Sequence, residues 1–293
     1  MTVELKSFAR TVRVTDGAWG TQLQSRGLPA GSCGELWNVD NSDPVEAIAR
    51  SYVEAGSEVI LTNTFGANRF VLDAHGESDR VAELCRAGAA ISRRVAGKDV
   101  KVFGSIGPTG KIVMMGEVSP SELVSTFSEA AAALSDGGVD ALVLETFNEL
   151  EELKIAIEAI KNTTDLPVVA CMTFGHGSGR DRTMMGNSPE ELVDLIKHSA
   201  AEAVGANCGC GPDGYVEIAA RLRAATSSLP IWVKANAGLP EIGPDGHTVY
   251  PMQADDFALR AKKIVSAGAN FIGGCCGTTP EHIRAIREMV GSA

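Results

Sequence analysis

The feature that most constrains this chain is a strict alternation of two hydrophobic periods along nearly its whole length. Short β-branched runs at 11–17, 58–64, 101–106, 139–145, 167–173, 202–208, 230–235 and 269–273 read as strands. Between them, stretches at 45–55, 80–95, 120–136, 149–161, 188–199, 214–226, 254–267 and 280–290 read as helices. Some helix starts are marked: Ser188-Pro189 is followed by Glu191, and Thr279-Pro280 opens the last stretch. Strands separated by helical crossovers pair in parallel. Eight such units in 293 residues predict a (β/α)₈ TIM barrel, a single domain over 1–293. The alternative is an open doubly wound sheet, but no GxGxxG follows the first strand. Residues 111–119 and 175–187 follow neither period and read as loops.

The formal net charge is −11, so a surface that tracks phosphates is disfavoured and no nucleic-acid partner is expected. No apolar run approaches the roughly 18 residues of a membrane span. The opening MTVELKSFARTVRVTDG lacks the apolar segment of a signal peptide. The expectation is a soluble, cytoplasmic protein with no membrane partner. In that reducing setting, seven cysteines point to metal binding or thiol chemistry rather than to disulfides.

Barrel active sites lie at the C-terminal ends of the strands. Those ends carry Asp16, Asn63, Ser105, Glu145, Cys208, Asn236, Cys275 and Cys276 toward one mouth. The last three strands are neighbours, so Cys208 can meet the adjacent pair Cys275–Cys276. Three thiolates with one open position make a catalytic zinc site, whereas structural sites are closed. Gly273, Gly274 and Gly277 would let the backbone bend so that both adjacent thiols face one ion. A lone Cys-Cys pair more often packs as two small apolar residues; a third cysteine at another strand end favours the metal. Cys210 rivals Cys208, but Cys208 closes the apolar run and sits nearer the strand. Cys33, Cys85 and Cys171 read as structural. The five histidines show no HxxH or HExxH spacing, which argues against an imidazole site.

The remaining mouth residues are polar or aromatic. Glu145 and Asp16 offer carboxylates to an ammonium group. Ser105, with the backbone N–H groups of the GPTG loop, offers donors to a carboxylate. Asn63 and Asn236 are strand-end amides that line the substrate site or brace its loops. Trp19 and Trp37 follow the first strand, where an aromatic face can take a cation by a cation–π contact or simply cover the mouth.

The motifs DGAWGT, NTFG, IGPTG, LETF, GANCGCGP, ANAGLP and GGCCGTTPEH together resemble those of the zinc-dependent homocysteine S-methyltransferases. The resemblance runs nearly end to end and is closest to the homocysteine-binding barrel of cobalamin-dependent methionine synthase. Betaine- and S-methylmethionine-dependent enzymes share that barrel. The resemblance implies zinc on Cys208, Cys275 and Cys276, and Glu145 as the amine anchor with Asp16 beside it. It implies homocysteine as acceptor and methionine as product. The donor would be methylcobalamin or another corrinoid on a separate protein, since none of His75, His176, His198, His247 and His282 lies in a DxHxxG segment. The alternatives are a betaine- or S-methylmethionine-type onium donor, or a non-catalytic zinc- or thiol-binding subunit.

Overall fold

The computed structural model describes residues 3–243 and 248–291; His247 lies outside them. The first seven strands are β1 (Arg13–Val14), β2 (Val59–Leu61), β3 (Lys101–Ile106), β4 (Ala141–Phe147), β5 (Val168–Met172), β6 (Ala203–Cys208) and β7 (Ile231–Ala235). A small antiparallel hairpin, β8 (Glu241–Ile242) and β9 (Thr248–Val249), precedes the last strand, β10 (Phe271–Gly274). All but the hairpin strands form one parallel sheet in the order β1-β10-β7-β6-β5-β4-β3-β2. A single parallel bridge, Thr15 to Val59, closes β1 against β2 and makes the sheet a barrel.

The eight predicted helices are present as Ser42–Glu54, Val81–Ala96, Pro120–Asp136, Leu150–Thr163, Pro189–Lys197, Pro212–Ala225, Ala254–Ser266 and Pro280–Gly291. The Ser188 start is a true capping box: its side chain accepts from the Glu191 N–H while the Glu191 carboxylate accepts from the Ser188 N–H. Four short helices were not foreseen: Leu5–Phe8, Gly20–Gln24, Trp37–Asp40 and Arg69–Asp73. Each is about one turn long, too short to show a helical period. The first strand is the other departure. Only Arg13 and Val14 are regular strand, although the Thr15 N–H still donates to the Ile272 carbonyl at 2.8 Å.

The barrel strands are largely buried on both faces, which is why they read as near-continuous apolar runs. One face packs on the helix ring. The other forms a separate inner cluster that includes Val59, Leu61, Phe103, Val143, Cys171, Trp232 and Phe271. The rings of Phe103, Trp232 and Phe271 meet at centroid distances of 5.2–6.4 Å and fill the lower barrel. Leu5 and Ala9, in and just after the first short helix, join the same cluster. The aromatic rings fill the barrel there, and the C-terminal strand ends form its mouth. All seven cysteines are free thiols. Among the described residues no helix is long and apolar enough to cross a membrane.

Candidate active site

At that mouth lies a cavity of about 380 Å³. Its wall includes Trp19, Asn63, Phe65, Glu145, Thr146, Cys208, Lys234, Cys275 and Cys276. A larger depression on the outer helices, about 540 Å³, is an open groove lined by Glu151, Lys154, Glu190, Glu191 and Asp194 and carries no thiol.

The Sγ atoms of Cys208, Cys275 and Cys276 all lie within 4.8 Å of one another. Cys208 ends β6 in the left-handed region, φ 63°, and Gly209 follows at φ 56°. Two left-handed residues in succession turn the chain sharply, and they send Cys210 elsewhere. Cys210 is buried in the outer core, where a Cβ on Gly214 of the next helix would sit 2.8 Å from its sulfur. Burial pushes its thiol up to about 11.

Cys275 and Cys276 follow β10. The expected role of the glycines divides. Gly277, at φ 80°, makes the turn. Gly273 and Gly274 are instead strand residues whose missing Cβ leaves room for the Thr15 and Thr278 side chains. The end of β7 then pins the pair. The Cys275 N–H donates to the Ala235 carbonyl at 2.7 Å and the Cys276 N–H to Asn236 Oδ1 at 3.1 Å. Asn236 Nδ2 donates to the Gly209 carbonyl at 3.3 Å, so one amide ties both cysteine segments together. Hydrogen bonds from Cys275 and Cys276 pull Cys208 down to about 3, and contact with Cys208 pushes Cys275 up and Cys276 up to about 11.

Across the cavity stands a second group, built on buried charge. Glu145 comes from β4, whose register shifts between Leu144 and Phe147. Thr146 in that irregularity has φ 67°, so a bulge re-aims the carboxylate. Ser105 Oγ donates to Glu145 Oε1 at 2.5 Å. The Ser105 hydroxyl is therefore engaged by the protein's own carboxylate. Burial raises the pKa of Glu145, against the opposing pull of Lys234 and Ser105.

Asp16 is fully buried, and both its oxygens accept from protein donors. Oδ1 takes Lys234 Nζ at 2.5 Å; Oδ2 takes the Trp19 indole N–H at 2.8 Å and the Leu61 N–H at 2.7 Å. Asp16 thus sits beneath the cavity wall, and Lys234 and Trp19 are the groups it presents there. Lys234, itself 2 % exposed, was missed from sequence. Burial works to lower its pKa, but the charges of Asp16 and Glu145 outweigh burial and the net shift is upward. Its signal was present: a lysine inside the apolar run PIWVKA needs a buried carboxylate somewhere.

Asn63 lines the cavity but spends its amide on the Gly34 carbonyl and Asn38 Oδ1, at 2.8 and 2.9 Å, bracing the first loop. Trp37 begins the short helix Trp37–Asp40 and packs, half-buried, against the outer core. The cavity wall takes Trp19 and Phe65 as its aromatics instead.

A model of the homocysteine S-methyltransferase family matches residues 13–290. Methionine synthases of Mycobacterium tuberculosis and Mycobacterium leprae are each 34 % identical over 98 % of this chain. The chain spans about a quarter of the length of those relatives, 25 % in both cases. Among solved structures, the metallated form of the homocysteine methyltransferase MmuM from Escherichia coli superposes with a TM-score of 0.78 at 22 % identity, covering 95 % of this chain and 96 % of that one. Its oxidised form gives 0.77 at 23 %, covering 94 % and 95 %. At that identity the MmuM structures speak to the fold, and they support the TIM barrel. Matched by the family model over nearly its full length, the chain belongs to the homocysteine S-methyltransferase family of methyltransferase enzymes.

Proposed function

We propose that this protein is a zinc-dependent homocysteine S-methyltransferase that makes methionine. The observation that carries the proposal is the three-sulfur cluster facing a buried carboxylate across one cavity. The donor set fits zinc. Tetrahedral zinc thiolates at ~2.3 Å place their sulfurs roughly 3.8 Å apart, so a set within 4.8 Å needs only small side-chain adjustments. Cys208, Cys275 and Cys276 would hold the ion and leave a fourth position toward the cavity. Zinc bound there would supply a Lewis acid that lowers the pKa of an incoming thiol, near 8.5 when free, so that its proton passes to solvent.

The chain's own residues do the rest by orientation. Glu145 takes the substrate ammonium. Ser105 fixes the Glu145 carboxylate, and Lys234 offsets the cost of keeping that carboxylate charged. Asp16 holds Lys234 and the Trp19 indole in place; Asn236 locks the cysteine segments. The substrate sulfur attacks the methyl carbon in line, and the electron pair of the broken bond leaves with the donor.

The motif resemblance to cobalamin-dependent methionine synthase favours a methylcorrinoid donor. A second reading rests on Trp19 and Phe65, whose rings at the cavity wall suit an onium donor such as betaine or S-methylmethionine. One experiment tests function and donor together. The purified chain should hold about one zinc, lost in Cys208→Ala, Cys275→Ala and Cys276→Ala and kept in Cys210→Ala. Loss in Cys210→Ala alone would overturn the ligand set. With homocysteine as acceptor, free methylcobalamin should support turnover, unchanged by Trp19→Ala. Faster transfer from betaine or S-methylmethionine, weakened by up to about 2 kcal/mol in Trp19→Ala, would replace the corrinoid with an onium donor. Zinc without turnover from any donor would leave a non-catalytic zinc-binding subunit.

A further inference from the structure

Asn207 has no part in the chemistry so far, yet its amide touches both halves of the site. It is fully buried on β6, one residue before Cys208. Its Oδ1 accepts from the Thr146 N–H at 2.8 Å. Its Nδ2 donates to Thr146 Oγ1 at 2.7 Å and lies 3.9 Å from Cys275 Sγ. In the sheet order, β6 pairs only with β5 and β7. This one side chain therefore reaches past both neighbours, to the top of β4 on one side and to the residue after β10 on the other.

What it grips on β4 is the strained point of that strand. Thr146 is β-branched and sits at φ 67°, a conformation such residues rarely adopt. Strain of this kind persists only where the surroundings over-determine it. Here the two Asn207 hydrogen bonds take both the backbone N–H and the hydroxyl of Thr146. Glu145 is the adjacent residue, so the aim of its carboxylate depends on this backbone being held. The other end of the amide approaches a sulfur of the thiol cluster.

We propose that Asn207 is a positioning residue that sets the separation between the thiol cluster and the Glu145 carboxylate, and so selects homocysteine over the one-carbon-shorter cysteine. The inference rests on the function proposed above, in which one end of the substrate is held at the cysteines and the other at Glu145. A rigid span between the two anchors rewards one chain length. A slack span tolerates both. Asn207 lies in the GANC motif, but nothing in its spacing shows that it crosses the mouth.

The test measures binding of L-homocysteine and L-cysteine to the zinc-loaded protein by calorimetry, so it needs no methyl donor. Wild type should prefer homocysteine by at least about tenfold, the scale of one methylene in a fitted pocket. Asn207→Asp keeps the size and one acceptor but removes the amide donor. It should weaken homocysteine binding roughly tenfold and bring the ratio of the two thiols close to one. Zinc retention against a chelator should fall about tenfold, the low end for outer partners of a metal site, given the 3.9 Å contact. Thr146→Ala leaves the Cys275 contact intact and removes only the hydroxyl. It should reduce the homocysteine preference while zinc retention stays at the wild-type value. A merely structural defect would weaken both thiols alike and leave the ratio unchanged; that outcome in both variants, with melting near wild type, overturns the proposal. If Asn207→Asp does not fold, Thr146→Ala alone decides by the same ratio. Wild type that binds neither thiol overturns the proposed function along with this inference, whereas wild type that binds both equally overturns this inference alone.

Discussion

Glu145 shows how one residue's role follows from what its neighbours leave free. Asp16 is buried and accepts from Lys234, Trp19 and Leu61, the Asn63 amino group braces the first loop, and the Asn236 amide ties the cysteine segments. Glu145 lines the cavity with one oxygen taken by Ser105. Glu145→Gln should therefore weaken homocysteine binding by roughly 1.5–3 kcal/mol, the worth of a hydrogen bond to a charged group, with zinc content unchanged. Calorimetry on the zinc-loaded protein checks this, and equal affinity would remove Glu145 from the site. The pH dependence has a definite sign. Burial raises the pKa of this carboxyl above its ordinary 4.5, and only the ionised form attracts an ammonium. Acidification should weaken homocysteine binding from a pH above 4.5 downward, and the Gln variant should lack that component. Sequence alone placed both Glu145 and Asp16 at the mouth. Which one stays available depends on a lysine 218 positions away from Asp16, a distance along the chain that no local pattern spans.

At the scale of elements, the end of β6 is where the backbone does most for the site. The chain must turn within two residues so that Cys208 joins the cluster while Cys210 enters the outer core. Gly209 permits this at φ 56°, and a Cβ there would overlap the Phe174 carbonyl. Gly209→Ala should cost at least about 1–2 kcal/mol from the left-handed backbone alone, and should also lower zinc occupancy. Thermal melting with metal analysis tests it; a variant with unchanged melting and full zinc would show that the turn can be made another way. Strand and helix positions were largely legible, because period and capping residues are local signals. The Ser188 capping box is one case, and the strand at 101–106 agrees with β3 residue for residue. The bulge at Thr146 was not legible, since a register shift depends on the partner strand.

On the scale of the whole molecule, the seam between β1 and β2 is the weak point of the barrel. One bridge, Thr15 to Val59, joins them. Glu58 reinforces it: its carboxylate accepts from the Val14 N–H at 3.1 Å and pairs with Arg13 at 2.7 Å and Arg287 at 3.2 Å. The Glu58 N–H also donates to the Val14 carbonyl at 2.8 Å. Glu58→Ala should lower stability by about 1–3 kcal/mol in urea unfolding, because a buried N–H and two guanidinium groups lose their acceptor. A change under about 0.5 kcal/mol would mean the seam is held by strand pairing and packing alone.

The amino-acid sequence by itself determined the barrel, the family and the three thiols. Alternating periods are set by the residues themselves, and barrel topology sends every strand end to one face. That rule was enough to bring Cys208, Cys275 and Cys276 together across 68 positions of chain. It was not enough to say what each polar side chain does once there. The burial of Asp16 under Lys234, the Ser105–Glu145 contact, the departure of Trp37 to the outer core and the span of Asn207 were decided by tertiary structure. The physical reason is that a buried polar group takes whichever partner lies within about 3 Å, and sequence places residues on faces, not to within an ångström.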